Sequence, residues 1–361
     1  MYLQPGRQDL GGLRHLVFTD IVQYTNQELS LYLAEHDRGG RPLRWLFDTF
    51  VVSARPRSGN CLGADVNIGT TMSGEGDFFA WPSPQPTTLT DWTEVLETNF
   101  APDGPLALLE SSAAALAREI GPPPRPLNVI LYHPYPSPRQ PLFGRLDGRR
   151  LNFTVLGQTL DLASRRRLDA CCFFTGEAAR RWDATAFPHL NFLGFYWPHE
   201  TIYRGWDVDD HWVLKELKKH VNAAGLKMFW VPFWCSWNVA LLSEYSLWFD
   251  AAWLQPNYMF YEAIGGVGEA AEAARARGAG IEMEFYISQG ADTFSPRVRA
   301  ERLVRFRSYL DGGVQFGYMS ESALAWYLGD KALAHLWQTG EEADFALYRD
   351  ICAFIHGEYG K

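Results

Sequence analysis

Short apolar segments rich in Val, Ile, Phe, Trp and Tyr recur along the chain, and most of them are separated by stretches with helical periodicity. This alternation is typical of parallel strands joined by crossover helices. Eight such segments occur, and eight strands close a (β/α)8 barrel of the TIM type. The predicted strands are residues 15–20, 45–52, 128–133, 191–197, 227–233, 251–255, 280–286 and 314–318.

The segments between the strands divide into helices and one long insertion. The clearest helical patterns cover residues 161–182, 209–224, 258–277, 296–311 and 341–356. Between the second and third strands, residues 53–105 are rich in Gly, Pro, Ser and Thr. Such an insertion lies at the face where βα loops build active sites, so we expect a lid or one wall of a cleft. We therefore predict one α/β barrel domain, residues 1–361, with an inserted loop.

Composition narrows the range of partners. The chain has 361 residues, 47% of them hydrophobic, which is enough for the core of one large barrel. The net charge is -9 and the basic residues are scattered, which argues against a nucleic-acid partner. The five cysteines form neither a disulfide framework nor a CxxC zinc pair. With no bilayer-spanning run and no visible signal peptide, we expect no membrane partner and a cytoplasmic protein, or a mature form whose leader has been removed.

The predicted strand ends are polar and aromatic, whereas most strand starts are apolar. In (β/α)8 enzymes the working residues lie at the carboxyl ends of the strands. Aromatic residues make up 15% of the chain, with 14 Trp, and such rings suit flat apolar ligand faces such as those of sugars. The candidate substrate-binding residues are Asp20, Asp48, His133, Tyr135, Tyr196, Trp197, Trp230, Trp234, Gln255, Asn257, Tyr258, Glu282, Tyr286 and Tyr318.

Two kinds of ligand contact are expected from this set. We predict that at least two of five rings stack on sugar faces, and that three polar side chains bind hydroxyl groups. The rings are Tyr135, Trp197, Trp230, Trp234 and Tyr258, and the polar residues are Asp48, Gln255 and Asn257. The alternative, in which these rings cover the barrel core, stays open.

The seventh predicted strand carries two carboxyl groups. Alternation along residues 280–286 places Glu282 and Glu284 on one face and the apolar residues on the other, so both carboxyl groups should point into the barrel. Unpaired buried carboxylates are costly, so each needs a partner, a shifted pKa or a solvated cleft. Glu284 lies one layer nearer the mouth, and Glu200, just past the fourth strand, is its expected opposite.

Paired carboxyl groups beside an aromatic cleft are what glycoside hydrolysis requires. We predict Glu200 as the general acid/base and Glu284 as the nucleophile of a retaining reaction on an oligo- or polysaccharide, with neither cofactor nor metal. Glu282 should be too deep to reach the sugar and should position Glu284 or a tyrosine. The layout is similar to that of retaining (β/α)8 glycosidases with acids on strands four and seven, although those enzymes usually carry Asn where this chain has His199.

The chain also resembles the bacterial family called domain of unknown function 4855, over nearly its whole length. The resemblance implies a carbohydrate-active barrel. Its carriers are the segments WLFD at 45–48, HPYP at 133–136, GFYW at 194–197 followed by Glu200, WVP at 230–232, LQPNY at 254–258 and GIEMEF at 280–285.

Two other functions remain as alternatives. A metal-dependent hydrolase is suggested by the cluster of Asp207, Asp209, Asp210 and His211, although Asp209 is typical of a helix N-cap and no HxH or HExxH spacing occurs. A non-catalytic glycan-binding barrel would keep the rings without needing two opposed carboxyl groups.

Overall fold

Eight parallel strands form a closed barrel in a computed structural model that describes residues 1–19, 24–60, 62, 71–72, 78–79, 85–234, 239–287 and 296–361. Around the barrel the strand order is β1-β8-β7-β6-β5-β4-β3-β2. The predicted (β/α)8 fold is thereby confirmed. The strands are β1 His15–Thr19, β2 Thr49–Val52, β3 Leu127–Tyr132, β4 Leu190–Trp197, β5 Lys227–Trp230, β6 Ala251–Leu254, β7 Gly280–Phe285 and β8 Leu324–Leu328.

Helices surround the barrel, and small hairpins lie in its loops. The α-helices of the described residues are α1 Asn26–Leu33, α2 Leu89–Asn99, α3 Pro105–Ile120, α4 Leu160–Asp183, α5 Asp210–Ala223, α6 Gly268–Arg277, α7 Pro296–Gln315, α8 Tyr318–Glu321, α9 Ala332–Gln338 and α10 Glu342–Ile355. Short 3-10 helices are Gln8–Leu10, Val239–Leu247, Glu262–Ile264 and Gly329–Lys331. The hairpins pair Ala34–His36 with Pro42–Trp45, Thr71–Met72 with Phe78–Phe79, and Gly144–Leu146 with Arg149–Leu151.

The eighth predicted strand is wrong. Residues 314–318 form the end of α7 and the start of α8, and the strand is instead Leu324–Leu328, which pairs in parallel with both β1 and β7. Gly317, with φ of 80°, turns the chain between the two helices. A short apolar run fits a strand or a buried helix end equally well, and periodicity alone does not separate them. Tyr318 therefore does not stand at a strand end.

Two other elements differ from the predictions. Within residues 258–277 only Gly268–Arg277 is α-helical, because Gly265 and Gly266 adopt positive φ of 77° and 147°, which interrupts a helix. The predicted loop 53–105 contains α2, whose N-terminus has a capping box between Thr88 and Asp91. The other four predicted helices appear as α4, α5, α7 and α10.

The core has an inner and an outer layer. Apolar side chains such as Leu16 and Trp253 fill the lower barrel interior. Outside, alternate strand residues pack against the helices, as where the Phe285 ring of β7 lies 4.2 Å from the Phe306 ring of α7. In β7 the apolar residues therefore face the helices, and the alternating residues Glu282 and Glu284 face the barrel interior.

Asp48 is a structural residue at the amino ends of the strands. It precedes β2, and its carboxylate accepts hydrogen bonds from the backbone N–H of Arg14 at 3.0 Å and of His15 at 3.3 Å, and from the Thr49 hydroxyl at 2.7 Å. These contacts tie the start of β2 to the start of β1. The prediction that Asp48 binds sugar hydroxyls is wrong, because strand two begins after this residue and not before it.

Replacement of Asp48 by Ala should lower the free energy of unfolding by about 1–3 kcal/mol, because two backbone N–H groups lose their acceptor. Urea denaturation monitored by tryptophan fluorescence measures the loss. Asp48→Asn keeps one acceptor oxygen and should lose clearly less. Equal stability of the Ala variant and the parent protein would contradict this structural role.

Candidate active site

A cavity of about 810 Å³ opens at the carboxyl ends of the strands. Strand ends and the loops beyond them supply its walls, as expected for a (β/α)8 barrel. Its aromatic residues are Phe18, Tyr24, Tyr132, Tyr196, Phe260 and Tyr327. Its ionisable residues other than tyrosine are Arg55, Glu200, Glu282 and Lys331.

The rings form two groups within the wall. Tyr196 makes edge contacts with Phe18 at 4.9 Å and with Tyr132 at 5.6 Å between ring centroids. Phe260 and Tyr327 lie 6.4 Å apart. Such rings combine an apolar face with a polar edge, which suits ligands that have apolar faces and hydroxyl edges.

Glu200 lies just beyond β4, on the loop that leads to α5. Its side chain is exposed to the cavity, and the protein that surrounds the carboxyl group raises its pKa to about 7. Burial also lowers the pKa of the adjacent His199 to about 4, so that the ring is neutral at pH 7 and supplies no positive charge to Glu200.

Glu282 faces the same cavity from β7. Its register partner is Ala325 of β8, and only 4% of the residue is exposed. Burial raises the pKa of Glu282 well above its usual value, and the negative charges of Glu284 and Glu200 raise it further. These three carboxyl groups therefore do not all ionise together near neutral pH.

Glu284 lies behind the cavity wall and is fully buried. Its Oε2 accepts hydrogen bonds from the Asn257 backbone N–H at 2.6 Å and from the Tyr309 hydroxyl. Burial raises the pKa of Glu284, while the bonds from Tyr309, Asn257 and Gln255 partly oppose the shift. Asn257 has a φ of 63°, a left-handed conformation that presents its N–H to this carboxyl.

A buried ion pair supports the loop that carries Glu200. Arg167 of α4 and Asp210 of α5 are enclosed, with 1% and 0% of their side chains exposed. Asp210 also accepts hydrogen bonds from the Tyr135 hydroxyl and the Tyr203 backbone N–H, both at 3.1 Å. Arg167 donates to the Pro136 carbonyl at 2.6 Å. The pair thus ties the loop after β3, the loop after β4 and two helices together.

The residue before Glu200, His199, is held in place as well. The Trp230 indole N–H donates to the His199 carbonyl at 2.9 Å, and the His199 ring packs edge-on against Tyr135 at 4.8 Å. Glu200 is therefore presented to the cavity by a backbone that is fixed from β5 and from the loop after β3.

The structure brings together only part of the predicted site. Tyr196, Glu200, Gln255 and Glu282 line the cavity. Asp20 lies outside the described residues, and Asn257 contributes its backbone N–H to Glu284. Trp234, Tyr258 and Tyr286 are half-buried and pack against the outer core. Enclosed residues, each at most 1% exposed, are His133, Tyr135, Trp197, Trp230 and Tyr318.

The enclosed rings correct the prediction that these positions stack on sugars. Trp197 and Trp230 belong to the outer core cluster, whereas their neighbours Tyr196 and Phe229 face the barrel interior. Strand alternation decides which of two adjacent aromatic residues faces the ligand. The same rule could have identified Phe18 and Tyr132, which sequence reasoning missed.

The sequence pattern did not identify the other lining residues. Tyr327 was missed because the eighth strand was misplaced. Arg55, Asn60 and Lys331 lie in loops and a short turn, where side chains follow no periodic pattern. Within the part of the chain that the structure describes, no three His, Cys, Asp or Glu side chains are arranged to hold a metal ion. The predicted cap is confirmed, since Asp209 accepts from the Trp212 N–H at 3.0 Å.

These observations define a closed parallel (β/α)8 barrel whose aromatic cavity at the carboxyl face carries both acidic and basic side chains. The chain belongs to the family described as domain of unknown function (DUF4855), whose model matches residues 18–353. The resemblance inferred from the sequence is confirmed. No curated protein matches the sequence. No helix among the described residues is long and apolar enough to cross a membrane.

Several solved structures of low sequence identity are similar to this chain over most of its length. PbGH5A, a glycoside hydrolase family 5 enzyme from Prevotella bryantii B14, is 10% identical with a TM-score of 0.47, over 98% of this chain and 99% of that one. A GH18 chitinase from Pseudoalteromonas aurantia is 8% identical with a TM-score of 0.42, over 93% and 99%. D-psicose 3-epimerase from Clostridium cellulolyticum H10 is 11% identical with a TM-score of 0.38, over 96% and 98%. Likeness at this level concerns the fold and not the reaction.

Replacement of Asp210 by Asn should lower the free energy of unfolding by about 3–5 kcal/mol, because Arg167 would keep a buried charge without its partner. The matched control is Asp209→Asn, at the neighbouring position, since Asn caps a helix about as well as Asp. Urea denaturation of both variants measures the difference. Equal losses in the two variants would show that the ion pair is not what holds this loop.

Proposed function

We propose that this barrel is a glycoside hydrolase that acts on an oligo- or polysaccharide. The observation that carries the proposal is the pair of carboxyl groups from β4 and β7, Glu200 and Glu282, which face one aromatic-lined cavity. Glycosidic cleavage needs one carboxyl group to protonate the leaving oxygen and a second to attack the anomeric carbon or activate water. The aromatic wall supports a sugar ring between them.

The positions of the two groups, more than their pKa values, favour this division of work. Burial raises the pKa of Glu200 to about 7 and that of Glu282 well above its usual value, so both carboxyl groups hold protons over part of the neutral range. We assign the role of acid to Glu200, which is exposed to the cavity where a leaving-group oxygen would lie, and Glu282 must release its proton before it attacks. Positive charge develops at the anomeric carbon in the transition state and would stabilise the ionised form of the buried Glu282.

The assignment on β7 differs from the one favoured by the sequence. Glu284 was expected to be the nucleophile, but it is fully buried, and its Oε2 already accepts two hydrogen bonds. Glu282 lines the cavity instead. We therefore propose Glu282 as the nucleophile of a double displacement and Glu284 as the residue that positions it and opposes its ionisation until substrate binds.

Glu200→Gln and Glu282→Gln should each reduce kcat about 10²–10⁴-fold on any glycan that a screen shows to be cleaved, because the first variant loses its proton donor and the second its nucleophile. Sugar binding should persist. Glu284→Gln is the matched control on the same strand, and its loss should be clearly smaller, since the amide oxygen still accepts hydrogen bonds. Reducing-end release measures turnover, and full activity of Glu200→Gln would remove Glu200 from the mechanism.

The pH profile gives an independent test of Glu200. The pKa of this acid is raised to about 7, so the protonated form persists below that pH and is lost as the pH rises through it. We expect kcat/KM of the parent enzyme to fall on the alkaline side from about pH 7 upwards. The residual activity of Glu200→Gln should lack this alkaline limb. An unchanged limb in that variant would assign the ionisation to another group.

Double displacement predicts retention at the anomeric carbon. The carboxyl groups of retaining enzymes lie about 5–5.5 Å apart, whereas those of inverting enzymes lie about 6.5–9.5 Å apart. Proton NMR of the first-formed anomer decides the point on any active substrate. An inverted product would sink the assignment of Glu282 as nucleophile.

A further inference from the structure

The charges that line the cavity are divided between two regions. Arg55 follows β2 and Lys331 follows β8, so the two cations flank β1. The carboxyl groups of Glu200 and Glu282 come from β4 and β7. The mechanism proposed above uses the carboxyl groups and leaves the two cations without a role.

Lys331 is held in an unusual backbone conformation. Its φ of 64° lies in the left-handed region, which residues with a Cβ atom rarely adopt, and it stands at the junction between the turn Gly329–Lys331 and α9. Strain of this kind is concentrated at ligand-binding and catalytic sites. The conformation brings the Lys331 ammonium to 5.4 Å from the centre of the Tyr24 ring, which lines the same cavity.

Glu28 binds Lys331 through two of the three N–H groups that the ammonium can donate. The ammonium donates to both oxygens of Glu28, at 2.8 and 3.0 Å, and a lysine ammonium has a third N–H to donate. The same Glu28 carboxylate accepts the Thr25 backbone N–H at 2.8 Å in the capping box of α1. Its negative charge is thus shared between Lys331 and the start of a helix. Among the described residues, Glu28 is the carboxylate that Lys331 binds, and the third N–H of the ammonium can donate to a second one.

Arg55 offers a complementary group. Its side chain is exposed and lines the cavity, together with the amide of Asn60 from the same loop region. A guanidinium binds a carboxylate through two parallel hydrogen bonds, a geometry that a neutral sugar does not match. The carboxyl groups of Glu200 and Glu282 would repel an anion, so a ligand with one negative charge would be oriented with that charge toward β1.

We propose that the cavity accepts an acidic saccharide, with the carboxylate of a uronic acid unit directed at Arg55 and Lys331 and the bond to be cleaved at Glu200 and Glu282. This inference rests on the proposed function for the position of the reacting bond. The carboxylate subsite itself is a matter of binding, so it is tested without turnover.

The experiment compares uronic-acid oligosaccharides with the same oligosaccharides after reduction of each carboxyl group to the neutral alcohol. Binding is measured by calorimetry on Glu200→Gln, in which turnover is suppressed. We expect the acidic ligands of at least one linkage to bind about tenfold or more tightly than their reduced counterparts. Lys331→Met and Arg55→Gln should each remove most of this preference and leave the affinity for reduced ligands unchanged.

Controls separate a loss of charge from a loss of fold. Lys331→Arg should restore the preference at least partly, and Lys219→Met, an exposed lysine of α5, should keep it in full. Equal affinity for acidic and reduced ligands across the panel would overturn the proposal. So would a preference for amino-sugar oligosaccharides, or for sulfated glycans over uronates. Tight binding of uronates that the parent enzyme never cleaves would support the subsite and contradict the hydrolase.

Discussion

Three glutamate side chains lie close together at the mouth of this barrel, and they cannot all carry a charge. Burial raises the pKa values of all three, and repulsion from neighbouring carboxylates raises those of Glu282 and Glu284 further. The three carboxyl groups differ in their hydrogen bonds and in their exposure to the cavity. Oε2 of Glu284 accepts bonds from a backbone N–H and a hydroxyl group, Glu282 is at the cavity wall, and Glu200 is exposed to the cavity. The three carboxyl groups thus have different environments, and such differences are what allow carboxyl groups in one site to take different roles.

The lower part of the barrel allows this polar mouth to exist. Apolar side chains fill the interior near the strand starts, and Asp48 ties β1 to β2 below them. The outer faces of the strands pack on the helices. Most of the apolar contact that stabilises the chain is therefore remote from the cavity, and the carboxyl groups can be retained although they add little to stability.

The sequence predicted the features that depend on local periodicity. Alternation in β7 placed Glu282 and Glu284 inside the barrel, and the position of Glu200 followed from the end of β4. Prediction from the sequence failed where one segment fits two structures or where an aromatic ring could face either side of a strand. Residues 314–318 resemble a strand but end a helix, and Trp197 and Trp230 stand near strand ends yet face outward. Loop residues such as Lys331 have no periodicity, and their meeting in space is set by the closed barrel alone.

The ion pair of Arg167 and Asp210 divides the rim of the cavity into a braced half and an independent half. It joins the loops after β3 and β4 to two helices, so that side of the rim resists change. Arg55, Asn60 and Lys331 belong to other loops. Substitutions there would leave the braced loops, and with them the placement of Glu200, unchanged. The two sides of one cavity thus differ in how freely their residues can be exchanged.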